Sequence, residues 1–183
     1  MFGGRIPAFL NNSKSLEAID LSSNHFFGQV PSSFGKLPNL AFLKLDNNMI
    51  EASDNESWEF LHALENCSVL ERLSLSDNRL RGNIPNSVGN LSSNLQYLYL
   101  DGNHLDGIVP SSIGNLRGLT RLWLSNSNLI GITEKHRIRQ LRNLERLHIE
   151  NNNFFGPFPS SISHLTQLKI LSLANNKFRG PIP

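Results

Sequence analysis

The chain has 183 residues, of which 39% are hydrophobic and 17% are charged, and its formal net charge is +2. That balance is too even to indicate a nucleic-acid partner, and a single cysteine excludes an internal disulfide framework and a cysteine-rich zinc site. The sequence instead holds 30 leucines, 23 asparagines and 22 serines, a bias that predicts an internal repeat.

A pattern of the form L-x-x-L-x-L-x-x-N-x-L recurs seven times along the chain. Its first leucine lies at positions 16, 40, 70, 95, 119, 144 and 168, so successive units are 24 or 25 residues apart except for one step of 30. Each unit opens with alternating apolar positions, which predicts a short strand with its leucines facing a core. Five units continue with a G-x-[IVF]-P core: Gly28–Pro31, Gly82–Pro85, Gly107–Pro110, Gly156–Pro159 and Gly180–Pro183.

This pattern resembles the plant-specific class of leucine-rich repeats, in which an x-G-x-I-P segment follows the strand, and the resemblance covers essentially the whole chain. It implies an α/β repeat solenoid, a leucine-rich-repeat superhelix with a parallel β-sheet on the concave face and short 3-10, helical or irregular segments on the convex face. We expect one array over residues 1–183. Six full repeats would start near 16, 40, 70, 95, 119 and 144, with partial repeats at 1–15 and 168–183.

The strand positions predict two buried apolar ladders. The first comprises Ile19, Leu43, Leu73, Leu98, Leu122, Leu147 and Leu171, and the second comprises Leu21, Leu45, Leu75, Leu100, Leu124, Ile149 and Leu173.

A third column is polar and lies where the chain leaves each strand. An asparagine amide there can donate to and accept from backbone groups of the neighbouring coil. We expect a structural ladder made of Asn24, Asn48, Asn78, Asn103, Asn152 and Asn176. Ser127 takes this position in the fifth unit and can do only part of that task, so we expect a local weak point there.

The second unit is the longest, and its extra segment predicts a short helix on the convex side. Ser53 and Glu56 fit a capping box, and Trp58, Leu61 and Leu64 recur at helical spacing. The sequence EASDNESWEFLHALENCSVL is similar to a unit in the plant receptor kinases that include the bacterial-blight resistance and elongation-factor receptors. This similarity favours a receptor-kinase ectodomain over the inhibitor family.

The fifth unit replaces the usual Ile-Pro segment with a basic stretch, Ile132–Gln140. We interpret it as a solvated convex face, because nucleic-acid binding would need a broader basic footprint.

Motifs for catalysis are absent from the sequence. It contains no nucleophile elbow, no P-loop, no G-x-G-x-x-G after a strand and no kinase signature, and its six histidines lack metal-ligand spacing. We therefore expect no enzymatic activity, no cofactor and no metal; full-length relatives would carry a kinase domain that this chain lacks. Cys67 directly precedes a predicted strand, which is typical of a small buried hydrophobe.

Four N-x-S/T sequons are candidate glycosylation sites if the chain enters the secretory pathway. They begin at Asn11, Asn55, Asn66 and Asn90.

The outward strand positions of the fourth to sixth units predict an aromatic and basic patch on the concave face. Tyrosine, tryptophan and arginine are enriched at binding hot spots, although aromatic residues also suit strands for structural reasons. We expect the patch to contact a peptide or protein ligand. It comprises Tyr97, Tyr99, Arg121, Trp123, Arg146 and His148, with Asp101 and Glu150 tuning its charge.

The resemblance implies a protein- or peptide-recognition module of a plant receptor-like kinase or receptor-like protein in immune or developmental signalling. Its expected partners are a peptide or protein ligand and a co-receptor. Two alternatives stay open. One is a secreted inhibitor of a cell-wall hydrolase. An acid-rich concave face would favour this alternative, and the concave face here is mixed to basic. The other is a truncated receptor fragment without a function, since the paired-cysteine caps usual in this family are missing.

The resemblance also places the array on the extracellular side of the plasma membrane in full-length relatives. The segment Met1–Pro7 has no charged-then-apolar secretory pattern, and no apolar run reaches bilayer-spanning length. We therefore expect no membrane insertion by this segment itself.

Overall fold

A computed structural model describes residues 1–131 and 137–181 of the chain. Each repeat contributes one strand to a front sheet and, after a tight turn, a second strand to a side sheet. All strand pairs in both sheets are parallel, and neighbours in the front sheet come from successive repeats. This arrangement confirms the predicted solenoid, with the front sheet as its concave face.

The front sheet has seven three-residue strands in the described part of the chain. Their central residue points into the core and the two flanking residues point outward, as expected from the period-2 geometry of a strand. The strands are β2 (Ala18–Asp20), β4 (Phe42–Lys44), β6 (Arg72–Ser74), β8 (Tyr97–Tyr99), β10 (Arg121–Trp123), β12 (Arg146–His148) and β14 (Ile170–Ser172).

The side sheet was not predicted from the sequence. Six of its strands form one sheet: β1 (Gly3–Arg5), β3 (His25–Gly28), β5 (Met49–Ala52), β7 (Arg79–Asn83), β9 (His104–Ile108) and β11 (Asn128–Gly131). Two further strands, β13 (Phe155–Pro157) and β15 (Lys177–Arg179), pair only with each other among the described residues.

Short 3-10 helices return the chain along the convex side. Five of them begin directly after a proline, whose fixed φ suits the residue before a helical turn. The helices span Ala8–Asn12, Ser32–Lys36, Leu64–Asn66, Asn86–Asn90, Ser111–Asn115, Arg137–Gln140 and Ser160–His164. The predicted basic segment Ile132–Gln140 lies partly outside the described residues.

The long second unit contains the α-helix of the described chain, α1 (Glu59–Ala63), as expected on the convex side. It packs so closely on the preceding 3-10 helix that a Cβ on Gly35 would lie 2.2 Å from the carbonyl oxygen of Ala63. Trp58, Leu61 and Leu64 are buried, which confirms the packing role predicted from their spacing.

The predicted capping box of this helix is wrong. The helix starts without a side-chain cap, and Ser53 and Glu56 do not bond reciprocally. Instead the Ser57 hydroxyl accepts from the backbone N–H groups of Ser53 (2.8 Å) and Asp54 (3.0 Å), and the Ser57 N–H donates to the Asp54 carboxylate (2.8 Å). The Asp54 carboxylate is a charged acceptor three residues before Ser57, so it organises the turn in place of Glu56.

Both apolar ladders are buried in the middle of the array. Leu43, Leu73, Leu98, Leu122 and Leu147 are fully buried, as are their neighbours in the second ladder from Leu45 to Ile149. At the ends of the second ladder, Leu21 and Leu173 are only half-buried, and Leu171 departs further from the prediction because 37% of its surface is exposed. Leu171 lies on β14, an edge strand of the front sheet, so no coil of the described residues packs on its outer side.

The asparagine column joins successive coils through backbone hydrogen bonds. The Asn103 amide donates to the Leu75 carbonyl oxygen of the preceding coil (3.0 Å), and its Oδ1 accepts from the Leu80 N–H (3.0 Å). Asn48, Asn78, Asn152 and Asn176 make equivalent pairs of bonds, and Asn24 accepts from Phe2. Ser127 makes one bond of this kind in the described chain, to the Asn103 carbonyl oxygen at 3.3 Å.

A second polar column, missed by the sequence analysis, precedes the first by one residue. Its members all have left-handed backbone conformation, with φ between 51° and 64°, which asparagine, aspartate and glycine adopt most readily. The enrichment of these residue types was a signal for it. The column comprises Ser23, Asn47, Asp77, Gly102, Asn126, Asn151 and Asn175.

Among the described residues, no helix is both long and apolar enough to cross a bilayer.

Candidate recognition surface on the front sheet

The strand register arranges the outward side chains of the front sheet in columns that run across the repeats. One column follows the first strand position: Ala18, Phe42, Arg72, Tyr97, Arg121, Arg146 and Ile170. The next follows the third strand position: Asp20, Lys44, Ser74, Tyr99, Trp123, His148 and Ser172. The six aromatic and basic residues predicted for the site therefore lie together on three adjacent strands.

Four rings form a continuous surface, named here the aromatic row: Tyr97, Tyr99, Trp123 and His148. The ring centroids of Tyr99 and Trp123 lie 4.6 Å apart, those of Trp123 and His148 5.1 Å, and those of Tyr97 and Tyr99 6.3 Å. All four side chains are half-buried. Aromatic pairs at such distances stabilise each other, so the row is pre-organised while part of its surface faces outward.

Two arginines pack on the first ring of the row. The guanidinium carbon of Arg72 lies 4.5 Å from the Tyr97 ring centroid, and that of Arg121 lies 5.1 Å from it. Each arginine is on a strand next to β8, at the register position of Tyr97. Cation–π contacts therefore fix Tyr97 from both sides. Arg146 is paired in register with Arg121 and completes the basic part of the patch.

The two predicted acidic residues have different environments. The Glu150 carboxylate lies 3.2 Å from His148 Nδ1, so it contacts the end of the aromatic row. Asp101 lies farther along its coil and accepts a hydrogen bond from the Ser76 hydroxyl. Burial raises the pKa of Asp101, and the nearby carboxylates of Asp77 and Glu150 add to this effect against the Ser76 hydrogen bond.

Three polar atoms of this surface are buried without a hydrogen-bond partner in the described chain: Arg72 Nε, Trp123 Nε1 and Glu150 Oε2. Buried polar groups are nearly always paired in folded proteins, so each of these atoms has unused bonding capacity. Because all three atoms lie on one face, this part of the front sheet could form additional hydrogen bonds with a ligand.

The sequence analysis did not include Arg72, Ser74, Ser76 and Asp77 in the site. Arg72 could have been found from its outward position beside Tyr97. The serines carry no signal as single residues, and their contribution depends on the larger side chains next to them in the column.

Other sequence-predicted positions lie away from this surface. The sequon asparagines Asn55, Asn66 and Asn90 are exposed and Asn11 is half-buried, and their glycosylation stays a prediction. Among the described residues, no cluster of histidine, cysteine and acidic side chains could hold a metal ion.

Cys67 is buried, as predicted, with its Sγ 3.5 Å from the Phe34 carbonyl oxygen. Burial raises the pKa of its thiol.

Comparisons with known proteins agree with the repeat architecture. Profiles of the Leucine rich repeat match residues 15–37, 69–91 and 93–154, together more than half of the chain. The chain is 43% identical over 68 residues to the Receptor kinase-like protein Xa21 of Oryza sativa subsp. japonica, covering 37% of the chain and 7% of that relative. It is 36% identical over 114 residues to Receptor-like protein 32 of Arabidopsis thaliana, covering 50% of the chain and 13% of that relative.

Solved plant ectodomains superpose on nearly the whole chain. The plant peptide hormone receptor RGFR1, solved in complex with RGF2, has a TM-score of 0.88 and 36% identity, covering 99% of this chain and 28% of the other. The Arabidopsis receptor kinase HAESA, solved with the peptide hormone IDA and the co-receptor SERK1, has a TM-score of 0.72 and 28% identity, covering 96% of this chain and 32% of the other. The chain thus spans about a third or less of these proteins. It is a leucine-rich-repeat array related to the ectodomains of plant receptor-like kinases and receptor-like proteins.

Proposed function

We propose that this chain is a recognition segment of a plant receptor-like kinase or receptor-like protein and that the aromatic row binds a peptide or protein ligand. The observation that carries the proposal is the row itself: four half-buried rings, packed 4.6 to 6.3 Å apart, form an open surface instead of a closed core. Rigid aromatic side chains lose little conformational entropy on binding and provide large contact areas.

The chemistry of the row favours recognition over catalysis. Its polar atoms lie beside aromatic faces, and the cations at one end, Arg72 and Arg121, are held on Tyr97. Such a surface offers apolar area together with hydrogen-bonding groups, which suits an extended peptide. Binding would then leave the signalling reaction to another part of the full-length receptor.

The relatives extend the proposal to the cellular setting. Several similar ectodomains were solved with peptide hormones, and one of them also with a co-receptor. By analogy, this segment would act on the extracellular side of the plasma membrane, in immune or developmental signalling, and a co-receptor would join it once a ligand is bound.

A displayed library of random peptides, selected on the 183-residue chain, tests this proposal. The enriched peptides are then tested on the Tyr99→Ala/Trp123→Ala double variant, which takes no part in the selection. Ile170→Ala is the matched control because Ile170 lies on the same face of the front sheet at its far edge. We expect enriched peptides that bind the wild type and the Ile170→Ala variant but not the double variant. Equal recovery on all three proteins would overturn the proposal.

A further inference from the structure

A slot of about 280 Å³ opens in the front sheet next to the aromatic row. It arises where a small residue interrupts the column of large ones, since Ser74 lies in register between Lys44 and Tyr99. Ser74 and Ser76 are buried and line the base of the slot.

One side of the slot is aromatic. Tyr99 and Trp123 both line it, and their packing against each other fixes the orientation of the rings. The faces of tryptophan and tyrosine carry negative electrostatic potential and attract cations, with tryptophan the stronger of the two. Trp123 Nε1 is also one of the buried atoms without a hydrogen-bond partner in the described chain.

Three acidic residues line the same slot: Asp46, Asp77 and Asp101. The Asp46 carboxylate accepts from the Ser74 hydroxyl at 2.8 Å, and the Asp101 carboxylate accepts from Ser76. The Asp77 carboxylate packs against the backbone of the neighbouring coil: a Cβ added to Gly102 would lie 2.1 Å from Asp77 Oδ1. Over residues 1–131 and 137–181, none of the three carboxylates has an ion-pair partner.

The two cationic residues that line the slot have contacts elsewhere. The Lys44 ammonium forms an ion pair with Asp20, and the Arg72 guanidinium lies over Tyr97. Neither cation is therefore paired with the slot carboxylates, and the slot keeps a negative charge next to an aromatic wall.

We propose that this slot binds an arginine side chain of the ligand, with the guanidinium stacked on Trp123 and Tyr99 and paired with Asp101 and Asp77. The inference rests on the proposed function of the aromatic row. Arginine suits the slot better than lysine, because a planar guanidinium can stack on a ring and form bidentate bonds with a carboxylate at the same time.

The environment of Asp101 supports this assignment. Its pKa is raised because the carboxylate is partly buried near two other carboxylates, so its charged form is poorly stabilised in the unbound protein. A ligand cation would relieve this cost and supply the missing counter-charge. An anionic ligand group would add to it.

The test uses the fluorescence of Trp123 in a Trp58→Phe background. The chain has two tryptophans, and Trp58 is buried on the convex side against Phe60, so phenylalanine retains its aromatic packing and leaves Trp123 as the reporter. The probe is N-acetylarginine amide, and the neutral isostere N-acetylcitrulline amide is the comparison. Asp101→Asn removes a slot charge, and Asp106→Asn removes an exposed charge on β9 as the matched control.

We expect a saturable change in Trp123 fluorescence with the arginine compound, with a dissociation constant on the order of millimolar for so small a ligand. Citrulline, or the Asp101→Asn substitution, should weaken binding by about tenfold or more, and Asp106→Asn should change it less than about twofold.

The inference is overturned if citrulline binds as well as arginine, if Asp101→Asn leaves the affinity unchanged, or if no saturable response occurs. In each of these cases the peptide selection still decides the proposed function separately, because peptides without arginine could still require Tyr99 and Trp123.

Discussion

Tyr99 and Trp123 occupy paired positions on neighbouring strands, and their ring centroids lie 4.6 Å apart. One residue earlier on the same two strands, Leu98 and Leu122 point inward and are fully buried in the core. The outward pair therefore contributes to folding mainly by ring packing, and the inward pair by burial.

This difference predicts unequal costs for two neighbouring substitutions. Trp123→Ala should lower the free energy of unfolding by about 1–2 kcal/mol, from lost ring packing and partial burial. Leu122→Ala should lower it by about 3–5 kcal/mol, because it leaves a cavity in the core. Urea unfolding midpoints of the two variants give the comparison. Equal losses would show that the Trp123 ring is a core element and not a surface held ready for a ligand.

The asparagine ladder should be among the most sensitive polar features of the fold. In Asn103→Ala the Leu80 N–H and the Leu75 carbonyl both lose a buried partner, so we expect a loss of about 2–4 kcal/mol. Asn94→Ala is the matched control because Asn94 is exposed and its side-chain amide, within the described chain, bonds only to the Ser68 carbonyl oxygen. Thermal unfolding of both variants checks this prediction, and a loss for Asn94→Ala as large as that for Asn103→Ala would contradict it.

The fifth unit offers the reverse experiment. In the described chain the Ser127 side chain makes one inter-coil bond, at 3.3 Å, whereas the asparagine side chains of the ladder from Asn48 onward each make two. Ser127→Asn should therefore stabilise the chain by about 1 kcal/mol, the net value of a typical added hydrogen bond. Amide hydrogen exchange in β9 and β11 would locate the gain. Faster exchange there would mean that the coil spacing at this position does not accommodate an amide.

Asp20 at the end of β2 and Asp101 beyond the end of β8 should influence stability with opposite signs. The hydrogen bond from the Lys44 ammonium, with a further contribution from Ser22, lowers the pKa of Asp20 from 3.8 to about 2. Its stabilising effect is therefore present above pH 4 and is lost as the pH falls towards 2. Burial raises the pKa of Asp101, so its ionised form costs stability at neutral pH, and this cost disappears below about pH 4.

The corresponding substitutions should separate the two residues. At pH 7, Asp20→Asn should lower the unfolding temperature and Asp101→Asn should raise it. The Asp101→Asn difference from the wild type should already be gone when the pH has fallen to about 4, whereas the Asp20→Asn difference should shrink between about pH 4 and pH 2. Thermal unfolding followed by circular dichroism between pH 7 and 2 measures this. A lower unfolding temperature for Asp101→Asn at pH 7 would show that its carboxylate is stabilising in the unbound protein, contrary to the role given to the slot.

The seven-fold recurrence of the strand pattern was sufficient to predict the solenoid, because leucines at a fixed spacing can be buried only by stacking successive coils. It was also sufficient to place Tyr97, Tyr99 and Trp123 on one face, since side-chain direction in a strand follows from parity alone.

Other features depend on relationships that a one-dimensional pattern does not contain. The slot exists because Ser74 lies in register between Lys44 and Tyr99, residues 30 and 25 positions away in the sequence. The capping box was mispredicted because the Ser53 N–H donates to the Ser57 hydroxyl and not to the Glu56 carboxylate, a choice that only the folded turn shows. Each side-sheet strand begins only a few residues after a front-sheet strand and is itself short, so its alternation of apolar and polar residues is too brief to predict a separate strand.

The central claim is that the aromatic row is the ligand-contacting surface, and its most direct test is the affinity of one selected peptide for single variants. Fluorescence anisotropy of the labelled peptide would compare the wild type with Trp123→Ala and with the control Ile170→Ala. We predict that Trp123→Ala raises the dissociation constant by about tenfold or more and that Ile170→Ala changes it less than about twofold. An unchanged dissociation constant for Trp123→Ala in a folded protein would contradict the account.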